Sequence, residues 1–149
     1  MDSQQRDVQH FHYACGLRAP TVPSFGSDED LQLRLDLIRE EFEELVEAVE
    51  AGDLVETIDA LCDIEYVVKG FAVAIGVDLE PFWEEVHSTN MKKASGPKRE
   101  DGKQLKPEGW HPPQIRNVFA RLYTSAPISR TASLMRSRGF RYNKVKEIA

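Results

Sequence analysis

Hydrophobic residues recur along most of the chain at spacings of three and four positions, which is the period of amphipathic α-helices. The clearest stretch begins after Ser27 and Asp30, whose spacing matches a capping box, and ends at Gly52. No segment alternates with the period of two that strands show, so the sequence predicts an all-α protein. The predicted core positions of this helix are Leu31, Leu35, Ile38, Phe42, Leu45 and Val49.

Four further helices are predicted around this one. The first runs from about Gln4 to Cys15, and another follows Gly52-Asp53 and ends at Gly76, so the short link predicts an antiparallel hairpin. A fourth begins near Glu80-Pro81, and a short one covers the region of Ile115–Leu122. We therefore expect a fold of the four-helix-bundle type. Its other predicted core positions are Val8, Phe11 and Cys15 in the first helix, and Leu61, Ile64, Val68, Phe71 and Ile75 in the third.

Two segments stand apart from the helical pattern. Residues 95–113 are rich in Gly, Pro and Lys and too long for a simple connector, and loops of this kind are usually functional or disordered. Residues 125–149 carry six Lys or Arg and one acidic side chain, and we interpret them as a mobile basic tail. Residues 1–124 carry 13 basic and 24 acidic side chains, a net charge of −11, and form the predicted single domain.

Charge and composition disfavour several classes of protein. Nucleic acid is not expected as the main partner, because phosphate contacts need clustered cations. No apolar run reaches the roughly 18 residues of a membrane helix, and the N-terminus lacks signal-peptide features, so we predict a cytoplasmic protein without a membrane partner. Cys15 and Cys62 lack metal-ligand spacing and are predicted to be buried, reduced thiols. An acidic body instead suits a protein that holds divalent cations.

The candidate chemistry lies in acidic residues on the hairpin. Glu41 and Glu44 lie on an apolar flank of their helix, with Glu40 at its edge, and Asp59 and Asp63 lie on a similar flank of the next helix. If the chain reverses at Gly52–Asp53, positions whose numbers add to about 104 are neighbours, which sets Glu41 opposite Asp63. Converging carboxylates repel and lose hydration unless a cation compensates. Mg²⁺ prefers such oxygen ligands, with Mn²⁺ as an alternative, whereas the absence of His and Cys on these faces disfavours zinc.

A solvated acidic helix face is the competing interpretation. Glu40-Glu41-x-x-Glu44 alone favours it, because runs of Glu on helices usually face water. Two acidic motifs that meet across a tight hairpin, each within an apolar flank, favour the metal site instead.

Several motifs together resemble one superfamily. They are Glu40-Glu41-x-x-Glu44, residues 59–70, residues 85–93, Gly96-Pro97 and residues 101–110. Over roughly residues 8–122 the chain resembles the all-α NTP pyrophosphohydrolases, which include MazG, the dimeric dUTPases and phosphoribosyl-ATP pyrophosphohydrolase. The long loop is most similar to the MazG-like branch close to the dUTPases. The resemblance implies a MazG-like fold, assembly into homodimers or homotetramers, and Mg²⁺-dependent conversion of a nucleoside triphosphate to the monophosphate and pyrophosphate. The implied substrate is dUTP or a non-standard nucleotide.

The resemblance also implies roles for individual residues. Glu41, Glu44, Asp59 and Asp63 would hold the metal, and Glu40 and Glu41 would be catalytic, with Glu40 orienting water or binding a second ion. The implied substrate-binding residues are Asn90, Lys93, Lys103, Lys106 and Trp110. Two of them also have simpler interpretations, in which Lys93 merely stabilises a helix end and Trp110 merely anchors the loop.

The chain departs from the superfamily pattern at one metal position. With Asp63 aligned to the family aspartate, the family glutamate falls on Ala60. We expect Asp59 to supply the missing ligand, and the literal match of Glu56-x-x-Asp59 leaves Glu56 open as the alternative. This departure also supports a catalytically inactive helical oligomerisation protein. Within enzymes, the alternative is the phosphoribosyl-ATP pyrophosphohydrolase of histidine biosynthesis.

Overall fold

The structure is a computed structural model that describes residues 1–124, and it confirms the all-α fold, with no strand in that range. The basic tail, residues 125–149, lies outside the described residues, so its predicted mobility stays a prediction. None of the helices in residues 1–124 is long and apolar enough to cross a bilayer. The five helices are α1 (Ser3–Ala14), α2 (Asp28–Ala51), α3 (Leu54–Ala74), α4 (Glu80–Lys93) and α5 (Ile115–Leu122).

The predicted end signals set the bounds of α2 and α3. Asp30 N donates to Ser27 Oγ at 3.1 Å and Ser27 N donates to Asp30 Oδ2 at 3.3 Å, which completes the capping box. Gly52 has a φ of 70° and closes α2, and the Asp53 carboxylate accepts the first amides of α3. The two helices pack side by side as the predicted antiparallel hairpin.

Leu31 is buried as predicted, but most other buried residues of the hairpin differ from those predicted. Ala48 of α2 and Ala60, Gly70 and Ala74 of α3 are buried, because small side chains allow two helix backbones to approach closely. Much of the predicted core stripe faces outward instead, so that expectation was wrong for four of its large residues. These are Phe42, Val49, Leu61 and Val68, with 47%, 59%, 52% and 39% of their surface exposed.

Helix α1 packs on α3 through a face rotated from the predicted one. It buries Gln5, Val8 and His12, whereas Phe11 and Cys15 are exposed. Cys62 is exposed as well, so the prediction of two buried thiols was wrong, although both cysteines are free. The buried face of α1 differs from the predicted one because that prediction considered apolar positions only. Gln5, Val8 and His12 also follow helical spacing, but two of the three are polar.

His12 is buried in the helix trio formed by α1, α2 and α3, close to the buried guanidinium of Arg34. Its Nδ1 lies 2.8 Å from Arg18 O, and a Cβ added to Gly70 would approach its Nε2 to 3.4 Å. Burial lowers the pKa of His12, the hydrogen bond with Arg18 O partly offsets this effect, and the positive charge of Arg34 lowers the pKa further. Gly70 thus gives the imidazole room against α3, and the environment favours the neutral ring.

Helix α4 leaves the trio and packs on α5. Glu85 Oε1 accepts the amide of Gln114 at 2.8 Å, and Phe82 and Val118 are buried. The long loop between the two helices is ordered by an isolated antiparallel bridge between Lys98 and Gln104. The predicted long loop and short fifth helix are therefore confirmed.

Candidate functional site

The predicted acidic residues lie along the middle of the α2–α3 hairpin, about two to three helical turns from the reversal at Gly52. Glu41 of α2 and Asp63 of α3 are half-buried, and Glu40, Glu44 and Asp59 are exposed. The antiparallel register predicts that Glu41 and Asp63 lie opposite each other as a pair, and the charge of Asp63 contributes to the raised pKa of Glu41, which agrees with that prediction. The exposed three border this pair, so the group is open to solvent on one side.

The electrostatic field at Glu41 shows that these carboxylates act on one another. Burial raises the pKa of Glu41, and the negative charges of Glu44, Asp63, Glu40 and Asp59 raise it further, in that order. Within residues 1–124, no Lys or Arg forms an ion pair with any of the five. The field at Glu41 is therefore negative and uncompensated, and such a field attracts cations.

The donor chemistry of this group suits a hard divalent cation, although its side chains do not form a finished cage. All five residues offer carboxylate oxygens, which Mg²⁺ binds together with water and substrate phosphates. In the part of the chain that the structure describes, no three acidic, His or Cys side chains are close enough together to hold a metal ion. The side chains would therefore have to turn inward when a metal binds. The ligand assignments stay predictions.

The structure bears on the choice between Asp59 and Glu56. Asp59 is among the charges that raise the pKa of Glu41, and Glu56 is not. Ala60, where the superfamily glutamate would lie, is 4% exposed and therefore packed inside the hairpin. These observations favour the prediction that Asp59, not Glu56, is the replacement ligand.

The Asp59→Asn variant is expected to weaken Mg²⁺ binding at least about tenfold, because it removes a charged oxygen ligand without changing the size of the side chain. Glu56→Gln is the matched control, since it removes one acid from the same helix and is expected to leave the affinity unchanged. Isothermal titration with MgCl₂ in the presence of nucleotide measures both. Loss of affinity in the Glu56 variant alone would reverse the assignment.

Four of the five predicted substrate-binding residues form one group on α4 and the long loop. Lys93 Nζ donates to Asn90 Oδ1 at 2.7 Å and lies 5.1 Å from the centroid of a Trp110 ring. Lys106 Nζ lies 4.3 Å from a Trp110 centroid. Lys103 is exposed on the turn at Asp101–Gly102, and its ammonium is not among the cations near Trp110 in the described residues.

Trp110 anchors the loop to α4 and also brings the two lysines together. Its Nε1 donates to the backbone oxygen of Thr89 at 3.0 Å, which satisfies the indole and fixes the ring. The anchoring interpretation is therefore supported, and it does not exclude ligand binding, because the ring holds Lys93 and Lys106 within cation–π distance. Two neighbouring ammonium groups favour an anionic ligand.

The sequence analysis did not predict the five polar residues that are buried in residues 1–124, namely Gln5, His12, Arg34, Lys69 and Thr89. Gln5 is fully buried and Arg34 is 9% exposed, yet both occupy positions that hydrophobicity alone assigns to solvent. The signal for Gln5 was its helical spacing from Val8 and His12. For Arg34 there was no comparable signal, because a basic residue in an exposed-looking turn of α2 is ordinary.

Comparisons with known proteins agree with the all-α arrangement of helices. The sequence model of a family described as phosphoribosyl-ATP pyrophosphohydrolase matches residues 8–90, which is more than half of the chain. The chain is also similar to an uncharacterized protein of Acanthamoeba polyphaga mimivirus, with 48% identity over 52 residues. That similarity covers 35% of this chain and 21% of the viral protein, so the chain spans only about a fifth of this relative.

Proposed function

Because the chain belongs to the phosphoribosyl-ATP pyrophosphohydrolase family, we propose that it is a Mg²⁺-dependent pyrophosphohydrolase that converts a nucleoside triphosphate to the monophosphate and pyrophosphate. The family match supports the pyrophosphohydrolase type of reaction. The observation that carries the metal-dependent proposal is a group of carboxylates on α2 and α3 that no Lys or Arg of residues 1–124 pairs with, and in which burial and four neighbouring negative charges raise the pKa of Glu41. A triphosphate can approach so negative a site only when a cation compensates both charges.

Roles follow from where the side chains lie. Glu41, Glu44, Asp59 and Asp63 would hold Mg²⁺, with Mn²⁺ as the alternative. When bound, the metal would supply charge neutralisation of the phosphates and lower the pKa of water. Exposed Glu40 at the edge of the group would orient the attacking water by accepting its proton.

The group around Trp110 would bind the phosphates. Lys93 and Lys106 supply positive charge, and Asn90 orients the Lys93 ammonium through its 2.7 Å hydrogen bond. Lys103, on the exposed turn of the same loop, would join them only if that turn moved towards the ligand.

Two substrate classes remain in competition. The description of the matching family favours phosphoribosyl-ATP, the substrate of the alternative in histidine biosynthesis. The long Gly/Lys/Trp loop, which resembles the MazG-like branch, favours dUTP or a non-standard nucleotide. We prefer the second class, because the structure orders this loop on α4 with its lysines grouped. The third candidate, an inactive helical oligomerisation protein, is favoured by the buried Ala60.

A substrate panel separates the three candidates. We expect Mg²⁺-dependent pyrophosphate release from dUTP or another deoxynucleotide, measured by a coupled pyrophosphate assay, and little release when EDTA replaces Mg²⁺. Faster turnover of phosphoribosyl-ATP than of every nucleotide would select the histidine-pathway enzyme. No pyrophosphate from any substrate would reject both enzymes in favour of the scaffold.

Assembly into a homodimer or homotetramer is part of the proposal. Large apolar side chains around the closed end of the hairpin are exposed, which is unusual for a protein that stays monomeric in water. A second copy that covered them would build a core from two hairpins. The cytoplasmic location stays a prediction. The exposed residues are Phe42, Val46, Val49, Leu54, Val55, Ile58 and Leu61.

A further inference from the structure

The turn between α3 and α4 is held by side chains from other elements. Gln5 of α1 is fully buried, its Nε2 donates to Val77 O at 2.7 Å, and its Oε1 accepts from Leu79 N at 3.0 Å. Between these two residues, Asp78 N donates to the hydroxyl oxygen of Tyr123, just after α5, at 3.1 Å. Three successive residues of the turn are thus bonded to partners from α1 and the end of α5.

The amide of Gln5 is suited to this place because it donates and accepts at once. A carboxylate would accept from Leu79 N but repel Val77 O, and an apolar side chain would leave both buried backbone groups without partners. The position therefore requires an amide of this length, although an apolar residue would pack as well against the helix trio.

Beside these bonds, the Met1 ammonium pairs with Asp78 Oδ2 at 2.6 Å and with Glu80 Oε2, at the start of α4, at 2.7 Å. Within residues 1–124, α5 is the one helix against which α4 packs. The space between the start of α4 and α3 is an open cavity of about 430 Å³, bordered by Val68, Leu79 and Trp83. Packing across that cavity cannot hold α4 in place, so its orientation relative to α3 depends on the turn.

We infer that Gln5 is a positioning residue, which fixes α4 relative to the α2–α3 hairpin and thereby places Asn90 and Lys93 for the substrate. The inference rests on the proposed function, because it assigns the phosphate-binding group to α4. The carboxylate group lies on α2 and α3, on the other side of the turn, so metal binding does not depend on Gln5.

The test compares Gln5→Met with Gln9→Met, a matched change on the same helix at a residue outside the turn. In Gln5→Met we expect faster hydrogen exchange at Leu79 and the first turn of α4, unchanged exchange in α2, and a KM for the triphosphate raised at least about tenfold at constant Mg²⁺ affinity. Gln9→Met should match the wild type in all three. Gln5→Glu provides the same test if the methionine variant fails to fold.

The outcomes separate this inference from the proposed function. Faster hydrogen exchange in α4 with an unchanged KM would overturn the positioning role. Unchanged hydrogen exchange would show that the bonds from Gln5 do not hold the turn. A loss of thermal stability alone, with normal KM, would also count against the positioning role. A wild-type protein that releases no pyrophosphate would reject the proposed function, while the exchange comparison would still decide whether Gln5 holds α4.

Discussion

Replacing Glu41 with Gln is expected to lower pyrophosphate release at least about 100-fold, because the proposed function makes Glu41 a metal ligand whose charge would be lost with it. The same change should raise the thermal stability of the metal-free protein. Burial and four neighbouring acids raise the pKa of Glu41 in the folded state, so its ionised form opposes folding at neutral pH. Neutral Gln removes that opposition. A pyrophosphate assay and thermal unfolding in EDTA measure the two effects.

Glu43→Gln is the matched control for this prediction. Glu43 is an exposed neighbour on α2 and is not among the charges that raise the pKa of Glu41. It should leave both turnover and thermal stability close to wild type. Retained turnover in Glu41→Gln, with normal helicity, would remove Glu41 from the site, and equal losses in both variants would show a nonspecific charge effect.

Gly76→Ala is expected to destabilise the protein by about 3 kcal/mol, the sum of left-handed backbone strain and steric overlap. Gly76 is the second residue after α3 and has a φ of 72°. An added Cβ would lie 2.8 Å from Pro20 O and 2.9 Å from Val22 O, and backbone atoms of another loop cannot turn aside as a side chain can. Urea denaturation followed by circular dichroism measures the change in the free energy of unfolding.

Gly52→Ala separates the two causes. Gly52 has a similar φ of 70°, but a Cβ there would meet nothing within 4 Å. The strain alone predicts a loss of about 1 kcal/mol. Equal losses in the two variants would mean that the contact with residues 20–22 does not constrain the turn.

Local features were predictable from the sequence. The capping box at Ser27 and Asp30, the αL glycine at position 52 and the Asp53 cap depend on residues within a few positions of one another, so the ends of α2 and the start of α3 followed from the sequence. The acidic group was predictable for a related reason. Once Gly52 sets the reversal, helical geometry alone determines which residues of two adjacent helices share a level.

The choice between faces was not local. The sequence offered α2 and α3 a stripe of large apolar residues and a flank of small ones, and the hairpin closed on the small flank, with Ala48 and Ala60 buried and Phe42 and Leu61 outside. Hydrophobicity favours burying the large stripe, but one hairpin can close on only one face. Close backbone approach favoured the small residues, and the large ones remain for other surfaces.

What the sequence by itself determined is where the helices begin and end, and from those bounds it predicts that carboxylates of α2 and α3 share one level of the hairpin. Only the tertiary structure decided that Gln5 and His12 are core residues, that Trp110 lies against both Lys93 and Lys106, and that Gln5 bonds the turn before α4. The physical reason is the range of the interactions. Caps and helical periodicity act over a few residues, whereas a buried amide finds its partners 72 and 74 positions away, which no local pattern encodes.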